Sequence, residues 1–246
     1  MKKHLSVLAL AARGTIYKVL LLLLAMIAVE TATFYFAMQS VLRWEIPTLE
    51  AALTQSRIHW IAAAALLGLT ALLSLNTCSF SAKTGYTLQR LSVSEQSATL
   101  WQALWHMICY VLFWAVQVAL ALSFGLWYVH TAPAELISDQ TMFLAFHRVK
   151  FLFSLLPMAL GIRWARNILF CVSLGFTTAC FSFRQRQGKL PMAAIVQTGV
   201  VLFYFSASLT DSSADSISIF LTVGVLFAAA INFFIKEGSR NEKADS

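Results

Sequence analysis

The sequence predicts an all-α fold, a polytopic transmembrane helical bundle of six spans with an N-terminal interfacial helix and an outer amphipathic or re-entrant segment. Three observations lead there. Of the 246 residues 59% are hydrophobic and only 12% charged, against about 25% charged in an ordinary globular domain. A single water-soluble core cannot hide that much apolar surface. The apolar residues also fall in continuous runs of about 20, the length a helix needs to cross the hydrocarbon layer. Continuous runs favour helices over a barrel, whose strands alternate over about ten residues.

Residues 1–18 come first. Leu5, Leu8, Ala9, Ala12 and Ile16 recur at three- and four-residue steps, with Lys2, Arg13 and Lys18 left for water or headgroups. This pattern describes a short interfacial helix on the cytoplasmic side, with Gly14 as the place where the chain turns into the first span. The apolar run that follows is too long for the core of a cleaved signal peptide. The transmembrane domain is expected over 19–235, with spans near 19–41, 58–80, 104–129, 164–183, 192–209 and 217–235. A polar tail, 236–246, closes the chain.

Orientation follows from the basic residues, which short cytoplasmic loops retain. With the N-terminus inside, the cytoplasmic pieces hold Lys2, Lys3, Arg13, Lys18, Lys83, Arg90, Arg184, Arg186, Lys189, Lys236, Arg240 and Lys243. Glu45, Glu50, Glu135, Asp139, Asp211 and Asp215 then lie outside. Both termini are expected in the cytoplasm of a multi-pass protein of the cell membrane. A basic inner face against anionic lipid accounts for the net charge of +7 without a nucleic acid. Segment 141–160 is apolar but carries His147, Arg148 and Lys150 in its middle, so it reads as an amphipathic or partly re-entrant helix on the outer face.

Chemistry-bearing motifs are few. Cys78, Cys109, Cys171 and Cys180 show no C-x-x-C spacing and read as small buried thiols. The histidines are scattered, with no metal-binding pair. No phosphate-binding loop is present, and no catalytic, cofactor or metal residues are assigned. Trp44, Trp60, Trp101, Trp105, Trp127 and Trp164 fall near span ends, where amphipathic rings anchor at the headgroups. Ser92 or Ser94 can cap the helix that enters the third span, with Glu95 near its positive end.

Glu30 has the sharpest intramembrane claim. It lies twelve residues after Lys18, about 18 Å along a helix and near mid-bilayer. A carboxylate there must face protein or water. Two readings stay open: a transport path with Thr33 and Gln117, or a helix-packing hydrogen bond to Thr33, Gln117 or Asn232.

The amphipathic N-terminus, six spans with both ends inside, and Gly85 followed by Arg90-Leu91-Ser92-Val93-Ser94 after the second span resemble a permease subunit of the ABC-2 type transporters. The resemblance covers most of the chain in layout and about ten residues in motif. It implies the membrane half of an ATP-driven exporter, paired with a second membrane subunit and with a separate ATPase subunit that carries ATP and Mg. It also implies an ATPase-coupling loop at Gly85, Arg90, Ser92, Ser94 and Glu95. The extra outer material lies between the third and fourth spans here, where that family has a hairpin between the fifth and sixth. The competing class is a non-transporting membrane protein: an assembly partner, a sensor or a self-protection factor.

Overall fold

The computed structural model describes residues 2–43, 47–76, 95–133, 137–138, 140–156, 161–186, 192–206 and 212–241. Within them the chain forms α1 (Lys2–Val41), α2 (Leu49–Gln55), α3 (Ile58–Asn76), α4 (Glu95–Thr131), α5 (Thr141–Arg148), α6 (Lys150–Leu155), α7 (Gly161–Arg186), α8 (Met192–Ser206) and α9 (Ser212–Asn241). Five of these, α1, α3, α4, α7 and α9, are long and apolar enough to cross a membrane. The architecture is therefore an all-helical, multi-pass membrane bundle.

Two expected boundaries move. Gly14 does not interrupt α1, a single helix of 40 residues, about 60 Å long. An isolated glycine costs a helix only about 1 kcal/mol, less than the flanking apolar turns supply. The expected fifth span appears as α8, an apolar helix of 15 residues, about 22 Å long. That is short of the roughly 30 Å hydrocarbon layer, so among the described residues length admits five spanning helices and leaves α8 apart.

Pairwise contacts give the directions. Thr15 meets Trp105, Glu30 meets Gln117 and Phe34 stacks on Phe124 at 4.5 Å, so α1 and α4 run parallel. Arg163 meets Asp215 and Phe183 meets Phe233, so α7 and α9 run parallel as well. Trp114 against Trp164 and His106 against Thr178 make α4 antiparallel to α7. Tyr204 against Asp215 and Gln197 against Thr222 make α8 antiparallel to α9.

The centre of the bundle is α7, packed against α3, α4, α8 and α9. It is the least apolar of the five long helices and the most enclosed, with 78% of its apolar window buried against 22–39% for the others. Ser173, Thr177, Thr178 and Ser182 lie on it fully covered. The other helices turn Leu21, Leu24, Phe36, Phe220 and Phe227 outward. Polar inside and apolar outside is the arrangement that lipid selects, because hydrocarbon solvates leucine and not serine. At Gly175 a Cβ would stand 2.7 Å from the Met107 backbone nitrogen, so glycine lets α4 and α7 approach backbone to backbone.

One end of the bundle is capped. The helix α2, whose Thr48 hydroxyl accepts the Ala51 N–H at 3.2 Å, packs against α1 and α5. Arg57, at φ 51°, closes the turn into α3. The basic segment expected as one amphipathic helix is two short ones, α5 and α6, broken at Val149 with ψ 104°. Ala145, Phe146, Leu152 and Leu155 face the core while Arg148 and Lys150 stay exposed. The break lets both apolar faces turn inward and keeps the cations in contact with water.

Candidate functional site

Three polar clusters and a pair of adjoining cavities occupy the interior. The largest cluster lies where α7, α8 and α9 meet the capped end. Arg163, Arg166 and Asn167 share one face of α7 at i, i+3 and i+4. Asp215, in the first turn of α9, accepts from Arg163 Nε at 2.8 Å and from Arg166 Nη1 at 2.5 Å. The Tyr204 hydroxyl donates to the same carboxylate at 2.5 Å and receives Arg166 Nη1. The Arg166 guanidinium also lies over the Tyr204 ring, 4.1 Å from its centre. Arg166 and Asp215 are wholly buried.

The same cluster holds α6. The last carbonyls of a helix have no partner of their own. Here the Ser154 carbonyl accepts from Arg166 Nη2 at 3.1 Å and from Asn167 Nδ2 at 3.0 Å. Trp114 Nε1 donates to the Leu155 carbonyl at 3.0 Å. A guanidinium at a helix C-terminus also meets the negative end of its dipole. Five elements, α4, α6, α7, α8 and α9, are thus tied at one point.

The expectation that Asp215 lies in an outer connection is corrected. The connection ends earlier, α9 begins at Ser212, and Asp215 is drawn into the bundle by two guanidiniums. The sequence reading assigned Arg163 and Arg166 no role. Arginines at the edge of an apolar run ordinarily snorkel to the interface, so the sequence carried no distinct signal for a buried acidic partner.

The second cluster is Glu30 with Gln117. Both are buried, and Gln117 Nε2 donates to Glu30 Oε1 at 2.7 Å and to Met26 Sδ at 3.0 Å. Glu30 Oε2 has no hydrogen-bond partner among the described residues. Thr33 does not join them: its hydroxyl donates to the Val29 and Glu30 backbone carbonyls, each at 3.0 Å. A threonine one turn on reaches its own helix backbone more easily than a neighbouring side chain. Asn232 is likewise exposed and donates to the Ala228 carbonyl. The third cluster pairs His106 Nδ1 with the Thr178 hydroxyl at 3.0 Å.

Trp105 donates to Thr15 Oγ1 at 2.7 Å and Trp164 packs edge-on against Trp114, so these two rings bind helices together. Trp60, 59% exposed, fits the anchoring role. Cys109, Cys171 and Cys180 are free thiols in the bundle. Gly85, Arg90, Ser92 and Ser94, with Cys78, Trp44 and Asp211, lie outside the described residues. The helix α4 starts at Glu95, whose side chain also lies outside them.

Two cavities adjoin between these clusters. The first, of about 360 Å³, sits among α2, α3, α5, α6 and α8, and its polar lining is Glu50, Thr54, His59, Arg148 and Lys150. The second, of about 70 Å³, lies deeper among α3, α4, α6, α7 and α8. Its wall is apolar apart from the ends of a few side chains, among them Gln117 and Asn167. His59, Phe151 and Phe205 line both. Arg148 pairs with Glu50 at 3.2 Å across the mouth, where both remain solvent-accessible.

Fold and interior together define a multi-pass helical membrane protein with a chambered cavity. No protein-family model matches the chain, and no curated protein or solved structure does either.

Proposed function

We propose that this chain is the membrane-spanning permease subunit of an ATP-driven exporter of the ABC-2 kind, powered by a separate ATPase chain. The observation that carries the reading is the chambered cavity, polar at its mouth beside α2, α5 and α6 and apolar where it enters the bundle. A molecule that must leave hydrocarbon needs such a graded environment. The sequence shows no phosphate-binding loop, and in this reading the energy comes from a partner. Coupling is assigned to the segment with Gly85, Arg90, Ser92, Ser94 and Glu95, and a second membrane subunit completes the path.

In this proposal α8 serves as a sixth, short span in a locally thinned bilayer, both termini are cytoplasmic, and the capped end faces outward in the cell membrane. Residues 1–18 lie on the cytoplasmic side. Cysteines placed at Ser138 and Ser213 are then labelled from outside, and those at Gln187 and Ser239 are not. Labelling of Gln187 from outside overturns this topology.

The exporter reading is tested by purifying the chain from its native membrane in mild detergent. Recovery of a nucleotide-hydrolysing partner, weakened by Arg90→Ala with Glu95→Ala, supports it. Recovery without any ATPase favours a non-transporting membrane protein. The five-element tie at Arg166 and Asp215 is the observation on that side, since it suits a rigid bundle better than a moving one.

A further inference from the structure

The substrate class of this cavity follows from the charges at its mouth and the shape of its interior, given the reading of the cavity as the exporter's path. The mouth holds Arg148, Lys150 and Glu50, two fixed positive charges against one negative. The ion pair of Arg148 with Glu50 is exposed on both sides, 63% and 31%, and such a pair is worth at most about 1 kcal/mol and exchanges readily. Lys150 is exposed and makes no ion pair among the described residues. The mouth therefore favours one added negative charge.

Behind it no charged side chain lines the wall, and the polar atoms are the ends of a few side chains such as Gln117 and Asn167. Phe151 and Phe205 line both cavities, and Ala62, Ala63, Leu66 and Leu174 line the inner one alone. The inner volume, about 70 Å³, is half of the ~150 Å³ that accepts a benzene ring. A void that narrow suits the end of one hydrocarbon chain. The two small residues at Ala62 and Ala63, one turn beyond His59 on α3, make the room.

We infer that the two chambers form one site for a single-chain anionic amphiphile, its carboxylate or phosphate head at Lys150 and Arg148 and its chain passing His59, Phe151 and Phe205 into the apolar chamber. Each half alone is unremarkable as a surface. Side by side, with His59, Phe151 and Phe205 in the walls of both, they suit a ligand that is charged at one end only.

The test is equilibrium binding of radiolabelled dodecanoate to the full chain in nanodiscs of zwitterionic phosphatidylcholine, with no ATPase present. Saturable binding at one site per chain is expected, weakened about tenfold or more by Lys150→Gln, a change of an exposed side chain that leaves the fold intact. Ala63→Phe, which fills the inner chamber, should abolish it, and Ala63→Ser should not. Competition distinguishes the ligand's source and shape: unlabelled dodecanoate displaces the probe, whereas dodecanol, with the same chain and no charge, does not.

Equal displacement by dodecanol overturns the anionic head, and stronger displacement by diacyl phosphatidylglycerol overturns the single chain. Absence of saturable binding overturns the site. None of these results bears on whether an ATPase co-purifies, so the ligand class and the exporter reading fail separately.

Discussion

Replacing Asp215 by alanine removes the one carboxylate that two buried guanidiniums share. Arg166 and Asp215 side chains are 0% exposed and Arg163 is 4% exposed, so no water takes over. Breaking a buried ion pair by deleting one partner costs about 3–5 kcal/mol. The Tyr204 hydroxyl, which donates to the same oxygen at 2.5 Å, loses its acceptor too. A loss of about 3–5 kcal/mol is a large share of a total stability near 5–15 kcal/mol. The assay is unfolding of the purified chain in mixed micelles of mild and denaturing detergent, followed by helical circular dichroism. Arg163→Leu in the Asp215→Ala background should cost less than Arg163→Leu alone, since the partner is already gone. Arg166→Lys should also destabilise, because one ammonium cannot reach Asp215, Tyr204 and the Ser154 carbonyl together. A loss below about 1 kcal/mol for Asp215→Ala, the worth of an exposed pair, refutes the reasoning.

Gly175→Ala brings a methyl to 2.7 Å from the Met107 nitrogen, a backbone atom that cannot swing aside. It should destabilise by about 1–3 kcal/mol, read as a lower unfolding midpoint, while Gly68→Ala, which meets only Leu22 Cδ1 at 3.1 Å, stays within about 0.5 kcal/mol. At Glu30, glutamine keeps an oxygen that accepts from Gln117, so Glu30→Gln should match the parent in abundance and in export. Glu30→Leu leaves Gln117 with only the Met26 sulfur and should lose about 1 kcal/mol. Normal abundance with lost export in Glu30→Gln overturns the packing role and assigns the carboxylate to the path.

What was legible in the sequence was whatever hydrocarbon dictates one residue at a time. Long apolar runs announced α1, α3, α4, α7 and α9, and the carboxylate at Glu30 announced a partner, which proved to be Gln117. What was not legible depends on two helices at once. Asp215 reads as a loop acid because it precedes the apolar run by two residues, and Arg163 and Arg166 carry no role in the sequence reading. Only the parallel packing of α7 on α9 brings their first turns together. The break at Val149 was hidden for a related reason. Periodicity continues through 141–156, and the bend is set by what the two faces pack against. Thr33 misled because proximity in sequence to Glu30 mimics proximity of side chains, while its hydroxyl turns back to its own helix.

The distribution of polarity also limits how this bundle can move. Arg166 ties α7 to α6, α8 and α9 at the capped end, and Gly175 locks α7 against α4 near its middle. A helix held at both points moves as part of a rigid unit, because packed interfaces shift between discrete arrangements and do not stretch. On the cavity's other side, α3 carries no charged residue between Ile58 and Asn76 apart from the ionisable His59. It meets α4 where the Tyr110 hydroxyl donates to Thr70 Oγ1 at 3.1 Å. The wall outside the five-element tie at Arg166 is the one that can give way. If the chamber opens to admit a chain, α3 moves away from α7. Cross-linking cysteines introduced at Leu66 on α3 and Leu174 on α7, which both line the inner chamber, should then block export relative to the same double variant kept reduced. Full export by the cross-linked protein would mean that the chamber does not open between α3 and α7.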